Sequence, residues 1–243
     1  MTHDRRRFLR LTVSGAASFA LASLRFGQKP ASAATRRLKI GTVGSGRVGA
    51  TLGGIWVKAG HEVMFSSLDL EHDKSLAASL GRNARAGTPR EAAAFGEVLL
   101  VSVPYSALPA VGRDLADLIK GKVVIDTCNP FVSRDGEIAN WAREKGAGLA
   151  SAELLPGARI VRAFNAVSYM QMAVAGQQAG RFAMPMASDD AEAVAAASDL
   201  IREIGYVPVL IGPLAMGKYL MPGTPLAGEH KPEQILQIAA TLK

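Results

Sequence analysis

Three glycines, Gly44, Gly46 and Gly49, follow an apolar, β-branched run over residues 38–43 with the spacing G-x-G-x-x-G. In a dinucleotide site the first such glycine permits a tight turn, and the second lets the backbone approach a pyrophosphate. The third lets a helix pack closely on a strand. The free N–H groups at the start of that helix can bind the phosphates, so no cation is needed there. A glycine-rich structural turn is the alternative interpretation.

The residues around the glycines favour the nucleotide interpretation. A helical pattern follows at once, and Gly60 stands where a left-handed cap would end it. The apolar residues of this helix are expected on one face: Val48, Leu52, Ile55, Trp56 and Ala59. A second strand over residues 62–65 would complete a strand–helix–strand unit.

Strands and helices continue to alternate up to residue 126. Predicted elements in this part are strands at 84–87, 97–103 and 123–126, helices over about 71–80 and 106–119, and a helix that begins at Pro89 after a Thr88 capping box. Such alternation is typical of a doubly wound sheet. We therefore predict an α/β fold of the Rossmann type, with a mostly parallel sheet in a single compact domain over residues 38–243.

The second half of that domain, residues 127–243, is predicted to be a C-terminal α/β extension of the nucleotide-binding core at 38–126. Its expected elements are helices at 137–145, from Asp190 to Ile204 and from about Pro232, and strands at 159–164, 181–187 and 206–211. Pro185 has no backbone donor, which predicts an edge strand or a bulge at that place. The loops at 103–105, 129–130 and 165–166 follow strands, so we expect them near the nicotinamide, with the extension completing an acceptor cleft.

The basic character of the chain lies mostly at its beginning. Residues 1–33 contain six basic residues and one acid, and so carry +5 of the formal net charge of +7. Arg5 to Arg10 resembles a twin-arginine export signal, and Ala31-Ser32-Ala33 resembles its cleavage site. The uncharged run at 11–24 is shorter than the ~20 residues that span a bilayer.

We therefore expect residues 1–33 to be a signal for the twin-arginine export machinery, residues 34–37 to be a linker, and the protein to be periplasmic without stable membrane insertion. An uncleaved amphipathic anchor is the alternative. Nucleic acid is not an expected partner, because little of the positive charge belongs to the remainder of the chain.

The chain offers few residues for metal or nucleophilic chemistry. Cys128 is its only cysteine, so an intramolecular disulfide is excluded, and a small buried thiol is favoured over a reactive one. The four histidines are scattered, and we predict no metal site.

The end of the second strand indicates which nucleotide is bound. In NAD sites a carboxylate at this place accepts the ribose hydroxyls. Here Ser66 and Ser67 occupy it, and the first carboxylate is Asp69. This pattern favours NADP, although both serines could instead cap the following helix.

Taken together, the motifs resemble the coenzyme F420-dependent NADP oxidoreductase family over about residues 38–225. The matching segments are residues 40–49, 60–63, 66–67, 103–105, 123–126, 129–130, 153–156, 163–165, 188–190 and 212–214. The resemblance implies a hydride transfer between the nicotinamide and a deazaflavin, with the cofactors supplying the chemistry and the protein the orientation. No catalytic acid or base is nominated, and a homodimer is implied by analogy.

The same resemblance implies particular ligand-binding residues. Beside the three glycines, these are Ser45, Arg47 and Val48 for the pyrophosphate, Ser66 and Ser67 for the 2′-phosphate, Val103, Pro104 and Ala107 along the path to the nicotinamide, and Asn129 near its ribose. The family usually has an arginine at the place of Leu68, so a charge-assisted contact is lost here, for which Arg47 or Lys74 could substitute.

The acceptor stays open among several classes. Coenzyme F420 is the first candidate. The alternatives are another small acceptor, such as a flavin, a quinone or a metal chelate, and a non-catalytic NADP-binding redox sensor.

Overall fold

A computed structural model describes residues 36–242, and the predicted export signal lies outside this part of the chain. The described residues form one eight-stranded sheet in the order β3-β2-β1-β4-β5-β6-β7-β8. The strands are β1 Lys39–Val43, β2 Glu62–Ser66, β3 Ala84–Ala86, β4 Val98–Val101, β5 Val123–Asp126, β6 Arg159–Ala163, β7 Ala183–Ala187 and β8 Val207–Gly212. The strand order reverses between β1 and β4, which confirms the predicted doubly wound α/β fold.

Helices cover both faces of this sheet. They are α1 Arg47–Ala59, α2 Leu70–Leu80, α3 Pro89–Phe95, α4 Leu108–Asp114, α5 Ala116–Ile119, α6 Val132–Asp135, α7 Glu137–Lys145, α8 Ala147–Leu154, α9 Tyr169–Val174, α10 Ala191–Ile204 and α11 Pro232–Thr241. None of the helices within residues 36–242 is long and apolar enough to cross a membrane.

Helix α1 packs closely on the strands because of its glycines. A Cβ added at Gly53 would lie 2.5 Å from the Phe65 ring, so a larger residue there would push the helix off β2. Gly60 ends the helix with φ 104°, as predicted. Leu52 and Trp56 are buried as expected, but Ala59 is exposed in the last turn.

The extension belongs to the same sheet as the core. Strand β6 pairs in parallel with β5, and α10 packs on the first strand–helix–strand unit. The indole N–H of Trp56 donates to the carbonyl of Leu200 at 3.1 Å. His61 accepts the backbone N–H of Leu38 on Nδ1, so its Nε2 carries the proton and donates to Glu203 at 2.6 Å. Residues of α1 and α10 therefore share one core.

The helix predicted over 106–119 is interrupted. A short 3₁₀ turn, Tyr105–Ala107, precedes α4, and Leu115 separates α4 from α5 with φ −115° and ψ 10°. Pro109 lies in the first turn of α4. Since proline is tolerated only there, it determines where this helix can begin.

The predicted edge position of Pro185 is wrong. Strand β7 lies between β6 and β8, and the sheet ends at β8. Pairing with β6 covers only Met186 and Ala187. The backbone nitrogen of Ala183 faces the same side of the strand as that of Pro185, and its N–H donates outside the sheet to the carbonyl of His230. Pro185 therefore lies beyond the reach of β6, where no ladder donor is needed. The alternative prediction of a bulge fits the register shift at Met186/Ala187.

Candidate nucleotide-binding site

The glycine loop makes a tight turn that holds β1 to β2. Gly44 has φ 99°, and a Cβ there would lie 2.2 Å from the carbonyl oxygen of Ser102. The N–H groups of Gly44 and Ser45 both donate to the carbonyl of Ser66, at 2.9 and 3.0 Å. Only glycine fits the first position, for reasons of both backbone conformation and space.

The amino end of α1 faces open space. Gly46 has no side chain to cap the helix, and a Cβ added to it would meet no atom within 4 Å. By contrast, a Cβ at Gly49 would lie 2.0 Å from the carbonyl oxygen of Gly44. The first-turn N–H groups have no partner inside the helix. The structure thus fits a pyrophosphate in front of Gly46, which main-chain groups would hold.

Two further loop residues differ in accessibility. The exposed guanidinium of Arg47 lies 5.7 Å from the centre of the Tyr169 ring at the start of α9. Val48 is half-buried and packs against the apolar core that α1 and α10 share. Arg47 can therefore reach an anion at the helix end, whereas Val48 can offer only its backbone.

The two serines that end β2 have different environments. Ser66 is fully buried, and its hydroxyl donates to the carbonyl of Thr42 at 2.6 Å. Ser67 is half-buried, and its hydroxyl donates to a carboxylate oxygen of Asp73 at 2.8 Å. The Ser66 hydroxyl is therefore used within the sheet, whereas the Ser67 hydroxyl is partly exposed beside the glycine loop. Neither serine is the N-cap of α2, because Asp69 accepts the N–H of His72 there.

Asp73 is a site residue that the sequence reasoning missed. It lies in the first turn of α2 and is fully buried. Its two carboxylate oxygens accept from the hydroxyls of Ser45 and Ser67, so it joins the glycine loop to the end of β2. The signal was its spacing from Asp69, because a residue one helical turn beyond an N-cap returns to the same face.

The loops after β4 and β5 are tied together by another carboxylate. Asp135 accepts the N–H and the hydroxyl of Ser106, both at 3.2 Å, and the N–H of Phe131 at 3.0 Å. Burial tends to raise the pKa of Asp135. The hydrogen bonds from Arg134, Phe131 and Ser106 outweigh burial and lower that pKa below its ordinary value. Of the residues expected to line this region, Pro104 is exposed, and Val103 and Ala107 are half-buried.

Asn129 connects the loops after β5 and β6. Its Nδ2 donates to the carbonyl of Asn165 at 2.8 Å, and its Oδ1 accepts from Arg162 at 3.0 Å. Both ends of the Asn129 amide are therefore used within the protein, and the residue joins the loops after β5 and β6.

Arg162 is the buried centre of that arrangement, and sequence reasoning missed it as well. It is fully buried and donates to Asp126 at 2.6 Å, to the carbonyl of Cys128 at 2.8 Å and to that of Gly217 at 3.1 Å. A charged residue inside an apolar strand was the available signal, since buried charges are paired.

Asn165 contrasts with its neighbour Asn129. It is 3% exposed, and neither its amide nitrogen nor its amide oxygen has a hydrogen-bond partner. The preceding residue, Phe164, has φ 66°, a left-handed conformation that non-glycine residues rarely adopt. Strain and orphaned polar atoms together are typical of functional sites.

Cys128 lies beside this cluster as a buried thiol. Burial raises its pKa well above the ordinary value, and the Sγ atom is 3.5 Å from the carbonyl of Val101. A high pKa and burial both oppose thiolate chemistry, which supports the interpretation of an unreactive cysteine.

Comparison with known proteins identifies relatives of the core. Residues 39–130 match the family model described as NADP oxidoreductase, coenzyme F420-dependent. The metalloreductase STEAP3 of Rattus norvegicus is 30% identical over 183 residues, which cover 74% of this chain. The match covers 35% of that relative, so the chain spans about a third of the metalloreductase's length.

Solved structures share the fold. A hypothetical protein from Sinorhizobium meliloti has a TM-score of 0.65 at 22% identity, covering 79% of this chain and 93% of its own. A protein provisionally assigned as an F420-dependent NADP reductase from Arthrobacter has a TM-score of 0.64 at 22% identity, covering 74% and 87%. At these identities the likeness establishes the architecture alone.

Proposed function

Residues 39–130 belong to the coenzyme F420-dependent NADP oxidoreductase family, and on that premise we propose that the chain transfers a hydride between NADP(H) and coenzyme F420 or a similar acceptor. The family is one of NADP-dependent oxidoreductases, and nucleotide binding follows from it. The acceptor and the residues that hold it are the part that we propose.

The observation that carries the proposal is the open space in front of Gly46. The loop is folded by contacts that allow only glycine at 44 and 49, while the intervening glycine leaves room for a ligand against the amino end of α1. A purely structural turn has no need of this opening. When bound, the nicotinamide ring supplies hydride chemistry.

The protein's own contribution is orientation. The Asn129–Asn165 hydrogen bond and the Asp135–Ser106 contacts hold the three loops at the carboxyl edge of β4, β5 and β6 in fixed relative positions. Fixed loops reduce the entropic cost of aligning two rings for hydride transfer. We propose that the extension after β5 completes the cleft for the acceptor at this edge.

The experiment is turnover with purified full-length protein. NADPH is mixed separately with F420, FMN, a quinone or a ferric chelate, and nicotinamide absorbance is followed. Oxidation with F420 supports the first acceptor class. Tight NADPH binding without oxidation by any acceptor contradicts an enzyme and favours a redox sensor.

A Gly46→Arg variant tests whether the glycine loop holds the nucleotide, since its side chain would fill the opening. Gly176→Arg is the matched control, because a Cβ at Gly176 also meets no atom within 4 Å and the residue is not part of the glycine loop. We expect loss of NADPH binding in the first variant and not in the second. Equal binding by both would overturn the assignment.

The second candidate is a reductase of another small acceptor, favoured by the 30% identity to a protein named as a metalloreductase. Oxidation of NADPH with the ferric chelate, but not with F420, would support this class.

We also propose that the protein is exported to the periplasm by the twin-arginine machinery, on the pattern of residues 5–33. That route carries folded proteins, so a nucleotide could be bound before export. Replacing Arg5 and Arg6 by lysine should retain the protein in the cytoplasm. Unchanged periplasmic recovery would contradict this proposal.

A further inference from the structure

We propose that the site binds NAD(H) as well as NADP(H), and that Asp73 is the residue that lowers its preference for NADP(H). This inference rests on the proposed function, because it concerns the nucleotide that the same site binds. It starts from the hydroxyls of Ser45 and Ser67, which lie where the glycine loop meets the end of β2.

Both hydroxyls already donate hydrogen bonds to the Asp73 carboxylate. A 2′-phosphate at neutral pH is chiefly an acceptor of hydrogen bonds, and these hydroxyls are the donors that it would need here. To use them, the phosphate must displace the Asp73 carboxylate or lie next to it. Either outcome opposes NADP(H), by lost hydrogen bonds or by repulsion of like charges.

The charges around Asp73 do not compensate for this opposition. Leu68 stands fully exposed at the place of the family's arginine. Lys74 is paired with Glu71 at 2.7 Å, and the first turn of α2 contains both Glu71 and Asp73. The cation of the glycine loop, Arg47, lies over the Tyr169 ring, 5.7 Å from its centre. A 2′-phosphate beside Ser67 would therefore lie close to carboxylates, while Lys74 and Arg47 already interact with Glu71 and Tyr169.

A ribose 2′-hydroxyl carries no charge, so Asp73 does not repel it. It can donate to the oxygen of the half-buried Ser67 hydroxyl while that hydroxyl still donates to Asp73. A carboxylate near the end of the second strand is typical of NAD sites. Here the carboxylate comes from one turn into α2, four residues beyond Asp69, so the sequence pattern of two serines conceals it.

Binding titrations of NADPH and NADH with the full-length protein test the inference. We expect the two dissociation constants to lie within about tenfold of each other. Asp73→Asn removes the charge and keeps the shape, and it should improve the affinity for NADPH relative to NADH by about tenfold.

Asp69→Asn is the matched control. It removes one charge from the same helix end. The Asp69 carboxylate caps the helix, and only the backbone of Asp69 contacts the Ser67 hydroxyl, so the substitution leaves that contact in place; asparagine caps equally well. We expect the nucleotide preference of this variant to change by less than about twofold.

The outcomes separate this inference from the proposed function. A parent protein that prefers NADPH by more than about tenfold overturns the inference, whether or not Asp73→Asn folds, and leaves the function standing. Binding of neither nucleotide overturns the proposed function itself. An Asp73→Asn variant that folds normally but keeps the parent preference rules out Asp73 as its cause.

Discussion

The amide of Asn129 is joined to the backbone of Asn165 by a 2.8 Å hydrogen bond, while the amide of Asn165 has no partner. Two neighbouring asparagines at one sheet edge thus have opposite roles. Asn129 is structural, and Asn165 retains unsatisfied hydrogen-bonding groups at the place where a ligand is expected.

We predict that Asn129→Ala costs about 2 kcal/mol of unfolding free energy, because it removes the acceptor of the Arg162 Nη2 group and the donor to the Asn165 carbonyl. Asn165→Ala should cost less than about 1 kcal/mol, since no hydrogen bond is broken. Denaturant titration of both variants measures this difference. A larger loss for Asn165→Ala would contradict the description of its amide as unsatisfied.

The pair Asp126–Arg162 should be strongly coupled. Both side chains are fully buried, with their nearest atoms 2.6 Å apart. Arg162→Met leaves an uncompensated buried carboxylate, and we expect a loss of about 3–5 kcal/mol of unfolding free energy. Adding Asp126→Asn to that variant should recover part of the loss. Additive losses in a double-mutant cycle would show that the two charges do not interact.

These buried charges show what sequence patterns can and cannot predict. The order of strands and helices followed from local signals, such as Gly60, Thr88 and the apolar runs. Asp73 and Arg162 were missed because their roles depend on which loops the topology brings together. Pro185 was misplaced for the same reason, since its tolerance depends on where β6 ends beside β7. Local chemistry predicts elements, whereas pairing between distant segments decides the surroundings of a side chain.

Asp135 should make stability depend on pH. Its folded pKa lies below the ordinary 3.8 of the unfolded carboxyl group, so its stabilising contribution is complete above that pH and is lost as pH falls through the lower folded pKa. We expect Asp135→Asn to lower the melting temperature at neutral pH, with the difference from the parent shrinking in acid. A difference independent of pH would show that the ionised carboxylate is not the stabilising form.

The two glycines that border the candidate pyrophosphate site should respond differently to substitution. A Cβ at Gly49 collides with the Gly44 carbonyl, so Gly49→Ala should cost about 1–3 kcal/mol through overpacking. At Gly46 there is space, and serine is a good N-cap, so Gly46→Ser should keep the parent's stability while weakening NADPH binding. Thermal unfolding and nucleotide titration measure the two effects. Normal binding by Gly46→Ser would place the phosphates elsewhere.

Leu68→Arg supplies the cation that the family usually has beside the 2′-phosphate. The parent leucine is fully exposed, so the substitution removes no packing and should leave stability unchanged within about 0.5 kcal/mol. We expect about fivefold tighter NADPH binding and unchanged NADH binding, because only the phosphate pairs with the guanidinium. Leu68→Gln, a neutral side chain, is the control and should affect neither nucleotide. The gain should be larger in combination with Asp73→Asn, since the phosphate then meets a cation and no competing carboxylate. If Leu68→Arg tightened both nucleotides equally, the guanidinium would be acting on the adenine or the pyrophosphate, and the 2′-phosphate would lie away from Ser67.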